Sequence, residues 1–117
     1  MSYDLAFWEG KRPADDIAAL EEYIKLSERY LESGGGDLPP APNVSAYVEA
    51  LLQRWPDHDD KGGLGPWAAS GAGQASGPVF LMHILRGCED QISTQAIELA
   101  DECGLICYDP QQGRLRR

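Results

Sequence analysis

A chain of 117 residues, 43% of them hydrophobic, has the length of one ordinary domain and an apolar share that excludes wholesale disorder. Its net charge of −9 is concentrated at the front, where residues 1–60 hold 13 acids against 5 bases while residues 61–117 hold 6 against 5. Phosphate backbones select for clustered Lys and Arg, so nucleic acid is excluded as the expected partner, and no apolar run approaches the ~20 residues of a membrane span.

The opening MSYDLAFWEG carries an acid at Asp4 and no basic segment, which argues against a secretory signal. Three cysteines, Cys88, Cys103 and Cys107, then fit reduced thiols and a cytoplasmic location. An acidic front half suits a protein partner with a basic surface, although surplus acid also serves solubility alone.

Residues 3–8, YDLAFW, read as a strand with an aromatic on each face, which favours an interior place in a sheet. Pro13 fits the first turn of a helix that runs to about Glu32, with Asp15 and Asp16 near the positive end of its dipole. Ile17, Leu20, Ile24 and Leu31 recur at a three-or-four spacing, with Ser27 in the remaining slot, and are expected to face inward. Glu21, Glu22, Lys25, Glu28 and Arg29 are then the solvated face. Gly34, Gly35 and Gly36 end the helix. After a stiff DLPPAP connector, Val44, Val48, Leu51, Leu52 and Trp55 mark a second helix over 44–55, stopped by Pro56.

Residues 57–77 are rich in glycine and read as loop, with a short strand near 67–70. VFLMHIL at 79–85 is apolar except for His83, the pattern of a strand covered on both faces. A helix follows over 88–103, with Ile92, Ala96, Leu99, Ala100 and Cys103 inward, closed by Gly104. Residues 105–108 form the last strand, and the basic tail at 112–117 is expected to be mobile.

The order β-α-α-β-β-α-β over residues 1–111, taken as a single domain, predicts an α+β fold. Its expected architecture is a two-layer ferredoxin-like plait, with 44–55 as the one extra helix. Such a plait leaves one sheet face uncovered, yet 3–8 and 79–85 are apolar on both faces. Either the extra helix or another chain must cover the second face, and an open one would suit a ligand or a homodimer.

Among possible chemical sites, Gly71, Gly73 and Gly77 lead into a strand, whereas a phosphate cradle has to open a helix. Asp57, His58, Asp59 and Asp60 lack any calcium-loop or HExxH spacing, and Cys103 and Cys107 lack the CxxC spacing of zinc sites. No metal or cofactor is expected. Cys88 with His83 is the one pairing that nucleophilic chemistry could use, the thiol at a helix start and the imidazole near a strand end; no third, orienting group is apparent. Trp8, Trp55 and Trp67 read as core or edge aromatics.

Two terminal segments carry a resemblance. YDLAFW at 3–8 and GLICYDPQ at 104–111 resemble the opening "YDLxxW" and closing "GLxxYDPQ" strands of a loose group of small, acidic bacterial proteins, mostly uncharacterised. Some of that group are similar to immunity proteins that neutralise toxins. The resemblance implies a cytoplasmic, non-enzymatic inhibitor and carries over no catalytic residue. On that reading the partner-binding residues are Glu21, Glu22 and Glu28 of the first helix and Asp57, Asp59 and Asp60 of the loop. A small thiol enzyme using Cys88 and His83, or a homodimeric ligand-binding plait, are the alternatives.

Overall fold

The computed structural model describes residues 2–32, 38–56, 66–68 and 72–116. Asp57, His58, Asp59 and Asp60, Gly34 to Gly36 and Gly71 lie outside the described residues. Among the described residues the fold is α+β: three α-helices and a five-stranded sheet whose neighbouring strands all run antiparallel.

Strand β1 (Ser2–Glu9) occupies the centre, between β3 (Val79–Leu85) and β4 (Leu105–Asp109), as the aromatics on both of its faces predict. Helix α1 (Asp16–Leu26) follows, capped by Asp15, whose carboxylate accepts the Ala18 N–H at 2.8 Å. It widens into a π-helical turn at Ser27–Glu32. Helix α2 (Pro42–Arg54) starts on a proline, where the missing N–H costs nothing. Helix α3 (Glu89–Glu102) puts Glu89 and Asp90 in its first turn and links β3 to β4.

Two strands depart from expectation. The strand next to β3 is β2 (Gly73–Ser76), in residues read as loop; at the expected site Trp67 makes only an isolated bridge to Ile84, while Ala69 and Ser70 lie outside the described residues. Gly73 is there for space, because a Cβ at this position would collide with the carbonyl oxygen of Leu81. Gly77 (φ +53°) turns the β2–β3 hairpin, so these glycines shape a hairpin. At the other end Arg114 and Leu115 form β5, paired with Asp109 and Tyr108 of β4, in place of a free tail.

The expected two layers are three. Leu5 and Phe7 of β1, Phe80, Met82 and Ile84 of β3 and Leu105 and Cys107 of β4 pack with Val44, Tyr47 and Leu51 of α2 and with Ile92, Ala96, Ile97 and Ala100 of α3. The opposite face, Ala6, Trp8, Val79, Ile106 and Tyr108, packs against Ala19 of α1, with Tyr23, Leu26, Tyr30 and Leu31 around it. Alternation of side chains along each strand separates the two cores. The α2 helix therefore shares a face with α3, and α1 is the helix that covers the second face. Each sheet face thus carries a helical layer.

The inward side of α1 also differs from its aliphatic period. Ile17, Leu20 and Ile24 are 72%, 43% and 45% exposed, whereas Ala19 is fully buried. The competing row, Ala19, Tyr23, Leu26 and Tyr30, has the same three-or-four spacing. Its small alanine lets the helix approach Trp8, and the Tyr23 ring meets Tyr108 with centroids 5.5 Å apart. Even partly buried, the Tyr23 and Tyr30 rings have more surface to remove from water than an isoleucine does, which favours their row.

This orientation predicts opposite outcomes for two substitutions read by thermal or denaturant unfolding. Ile24→Ser is expected to leave stability within about 0.5 kcal/mol of the parent. Ala19→Leu is expected to cost about 1–3 kcal/mol by overpacking the Trp8–Tyr108 layer.

Candidate functional site

The two terminal segments meet. Antiparallel pairing of β1 with β4 runs from Glu9↔Leu105 to Ala6↔Tyr108, and the next opposition on this side of the ladder would set Asp4 against Pro110. Proline has no N–H to give. The Gln111 side chain takes that place: its Oε1 accepts the Asp4 N–H at 2.7 Å, and its Nε2 donates to the Asp4 carbonyl at 2.6 Å.

Asp109, fully buried, fixes this arrangement. One carboxylate oxygen accepts Gln111 Nε2 at 2.8 Å and the backbone N–H groups of Gln111 and Gln112 at 3.0 and 3.2 Å. The other accepts the Tyr3 hydroxyl and, at 3.1 Å, Arg116 Nη1. Burial alone would raise the Asp109 carboxyl, but the bonds from Tyr3, Gln111 and Gln112 and the Arg116 charge outweigh it and hold the group below the usual carboxylate range. Burial and the bond to Asp109 push the Tyr3 phenol up to about 12, so it remains a donor at neutral pH. The guanidinium of Arg86 lies 5.7 Å from the Tyr3 ring centre. YD at the start and YDPQ at the end thus form one lock between the ends of the chain, structural in what it does.

His83 sits directly across from Asp4 on the neighbouring strand, with Nδ1 2.8 Å from the Asp4 carboxylate. The two side chains are 22% and 31% exposed, and the carboxylate orients the imidazole as in the base half of a catalytic arrangement. The thiol expected to complete it lies elsewhere. His83 alternates in step with Val79 and Leu81, on the α1 side, whereas Cys88 packs against the core on the α2–α3 side. The structure therefore does not bring the two onto one face of the sheet.

Cys88 immediately precedes α3, half-buried, in a cleft of about 520 Å³ with Trp55, Pro66, Leu85, Gln91, Ile92 and Gln95. Trp55 and Trp67 meet edge to face at 6.2 Å, and the Trp67 indole donates to the Trp55 carbonyl at 2.7 Å. Trp8 and Trp67 are core residues, as expected. Cys107 is buried, and burial pushes its thiol well up; burial and then the Glu102 charge raise that of Cys103.

Of the expected partner-binding acids, Glu21 and Glu28 are exposed and Glu22 is half-buried, all three on or just beyond α1. Glu21 and Glu22 line a groove of about 500 Å³ together with Lys11, Arg12 and Lys25, so the surface there is mixed in charge. Asp57, Asp59 and Asp60 lie outside the described residues. What sequence reasoning missed is beside these acids: the exposed row Ile17, Leu20 and Ile24 on the same helix. A second apolar row at 19, 23, 26 and 30, counting tyrosine as apolar, was the signal that would have revealed it.

Two measurements check the buried groups. Asp109→Asn is expected to lose about 2–3 kcal/mol near pH 7, since it weakens charge-assisted bonds to a buried acceptor. A depressed carboxyl stabilises the fold above its unfolded value and loses that effect as pH falls through the folded one. The gap between parent and variant therefore closes once pH drops below about 4, in pH-dependent denaturation. In the native protein a thiol reagent is expected to modify Cys88 and Cys103 and to spare Cys107 until the chain unfolds.

Among the described residues no helix is long and apolar enough to cross a membrane, and no group of three or more His, Cys, Asp or Glu is placed to hold a metal ion. Comparison with protein-family models, with curated proteins and with solved structures finds no match.

Proposed function

We propose that this chain is a non-enzymatic protein-interaction module of the immunity type, acting in the cytoplasm by masking a basic surface of a bacterial toxin. The observation that carries the reading is the outer side of α1, where Ile17, Leu20 and Ile24 stand exposed beside Glu21 and Glu28. Exposed aliphatic side chains grouped on one helix mark a contact surface, and carboxylates around them select a cationic partner. The formal charge of −9 steers such a partner toward the molecule.

We further read the sheet as an elaborated ferredoxin-like plait. In support, β4-β1-β3-β2 are adjacent in that order and α2 and α3 lie on one face of them; α1 and β5 are then additions. On this reading the added helix is the one that bears the contact surface, which keeps binding apart from the framework.

The test is capture of a partner from lysate of the source cells, with the parent and with the charge-reversed Glu21→Lys/Glu22→Lys/Glu28→Lys chain. A basic protein should be retained by the parent at ~0.1 M salt and released toward ~1 M, as the screening length falls from ~10 to ~3 Å. The reversed chain should bind it at least ~10-fold more weakly. Retention indifferent both to salt and to the reversed charges would refute the proposal.

A further inference from the structure

Among the described residues, three of the four large apolar side chains that stand exposed lie on α1. A surface helix ordinarily carries one apolar stripe, turned to the core. Here Ala19, Tyr23 and Leu26 serve the core, and Ile17, Leu20 and Ile24 form a second stripe on another side of the same two turns. A helix apolar on two sides is suited to a place between two layers, and among the described residues only one of the two is present.

The stripe has a definite shape. Its residues are three and four apart, so they make a single ridge about 10 Å long at 1.5 Å per residue. A convex ridge of this spacing fits the groove between side-chain rows on another helix. Glu21 follows Ile17 by four residues and Glu28 follows Ile24 by four, so carboxylates run along one border of the ridge. Lys25 and the groove it shares with Lys11 and Arg12 come only beyond that row.

We infer that α1 docks an amphipathic helix of a protein partner, one whose aliphatic stripe is bordered by Lys or Arg. The inference rests on the interaction reading above and specifies the element that is recognised. Charge complementarity selects this occupant. Two copies packed ridge to ridge in antiparallel fashion bring Glu21 against its own counterpart, a like-charge contact that disfavours self-association. An anionic lipid surface meets the same carboxylates with like charge.

The probe is a set of three helical peptides of ~18 residues, long enough to hold a helix, with one leucine stripe bordered by Lys/Arg, by Glu/Asp or by Gln/Ser. Binding to the full chain is read by fluorescence anisotropy, beside sedimentation of the chain alone and flotation with anionic vesicles. The Lys/Arg peptide should bind at least ~10-fold more tightly than the Glu/Asp peptide. Ile17→Asn and Ile24→Asn should each weaken it ~10-fold with the melting temperature unchanged, and Glu21→Lys/Glu28→Lys should remove the preference between peptides. Equal binding of the three peptides, or binding that the asparagine variants leave intact, overturns the inference. Self-association dispersed by Ile17→Asn assigns the ridge to a second copy, and vesicle binding lost in that variant assigns it to a membrane; either overturns it too. If partner capture is lost on charge reversal yet survives Ile17→Asn, the interaction module stands and helix docking fails.

Discussion

Strand β1 buries Leu5 and Phe7 on one side of the sheet and Ala6 and Trp8 on the other, all within 1% of full burial. With the central strand apolar on both faces, neither face can be left to water, and each large side chain brought out of it contributes about 1.5–3 kcal/mol. The three-layer arrangement follows from this. One face takes α2 and α3, tied together by the Tyr47 hydroxyl donating to the Ala96 carbonyl at 2.7 Å and by Phe7 meeting Tyr47 at 5.0 Å. The other takes α1 and its π-helical turn, whose Tyr30 ring rests on the hairpin glycine Gly77.

The lock between the chain ends serves the same constraint. A central strand has to be paired along its whole length, and Pro110 interrupts the β4 ladder where Asp4 needs a partner. The carboxamide of Gln111 presents one donor and one acceptor at the spacing of a peptide group, so it stands in for the missing backbone. Buried Asp109 holds that carboxamide and also accepts from Arg116, the residue after β5. This is why a two-residue β5 persists at the sheet edge, although strands so short are weak by themselves.

Much of the framework was legible because period and length agree there. The strands at 2–9, 79–85 and 105–109 and the helices at 42–54 and 89–102 lie within a few residues of where spacing and caps put them. The departures have physical causes. Gly-Gln-Ala-Ser forms β2 because its backbone pairs with β3 from Val79 to Met82, a tertiary effect that propensity does not contain. Parity was legible for His83: counting alternate residues from Val79 puts it on the other side of the sheet from Phe80 and Met82. The β5 pairing is likewise tertiary: Arg114 and Leu115 pair with β4, and Arg116 is held by the Asp109 carboxylate and the Cys107 carbonyl. The candidate acids Glu21 and Glu28 were visible as exposed positions, but the ridge beside them was not, since α1 offers two rows of equal spacing and only the sheet chooses.

That choice has a consequence for where stability and recognition reside. In the α2–α3 layer the indole of Trp67 and the hydroxyl of Tyr47 both find carbonyls. In the α1 layer Trp8 Nε1, Tyr108 Oη and Ser27 Oγ are buried with no hydrogen-bond partner among the described residues, at a cost of order 1–3 kcal/mol for each. The α1 layer is therefore the less satisfied of the two, and it also leaves three aliphatic side chains in water on its outer side. Seating those aliphatics against a partner would add apolar burial to the layer that holds least of it. The layer that leaves these polar atoms unsatisfied is the one with most apolar surface to gain in binding, and a framework locked by Asp109 and Gln111 does not have to change for that to happen.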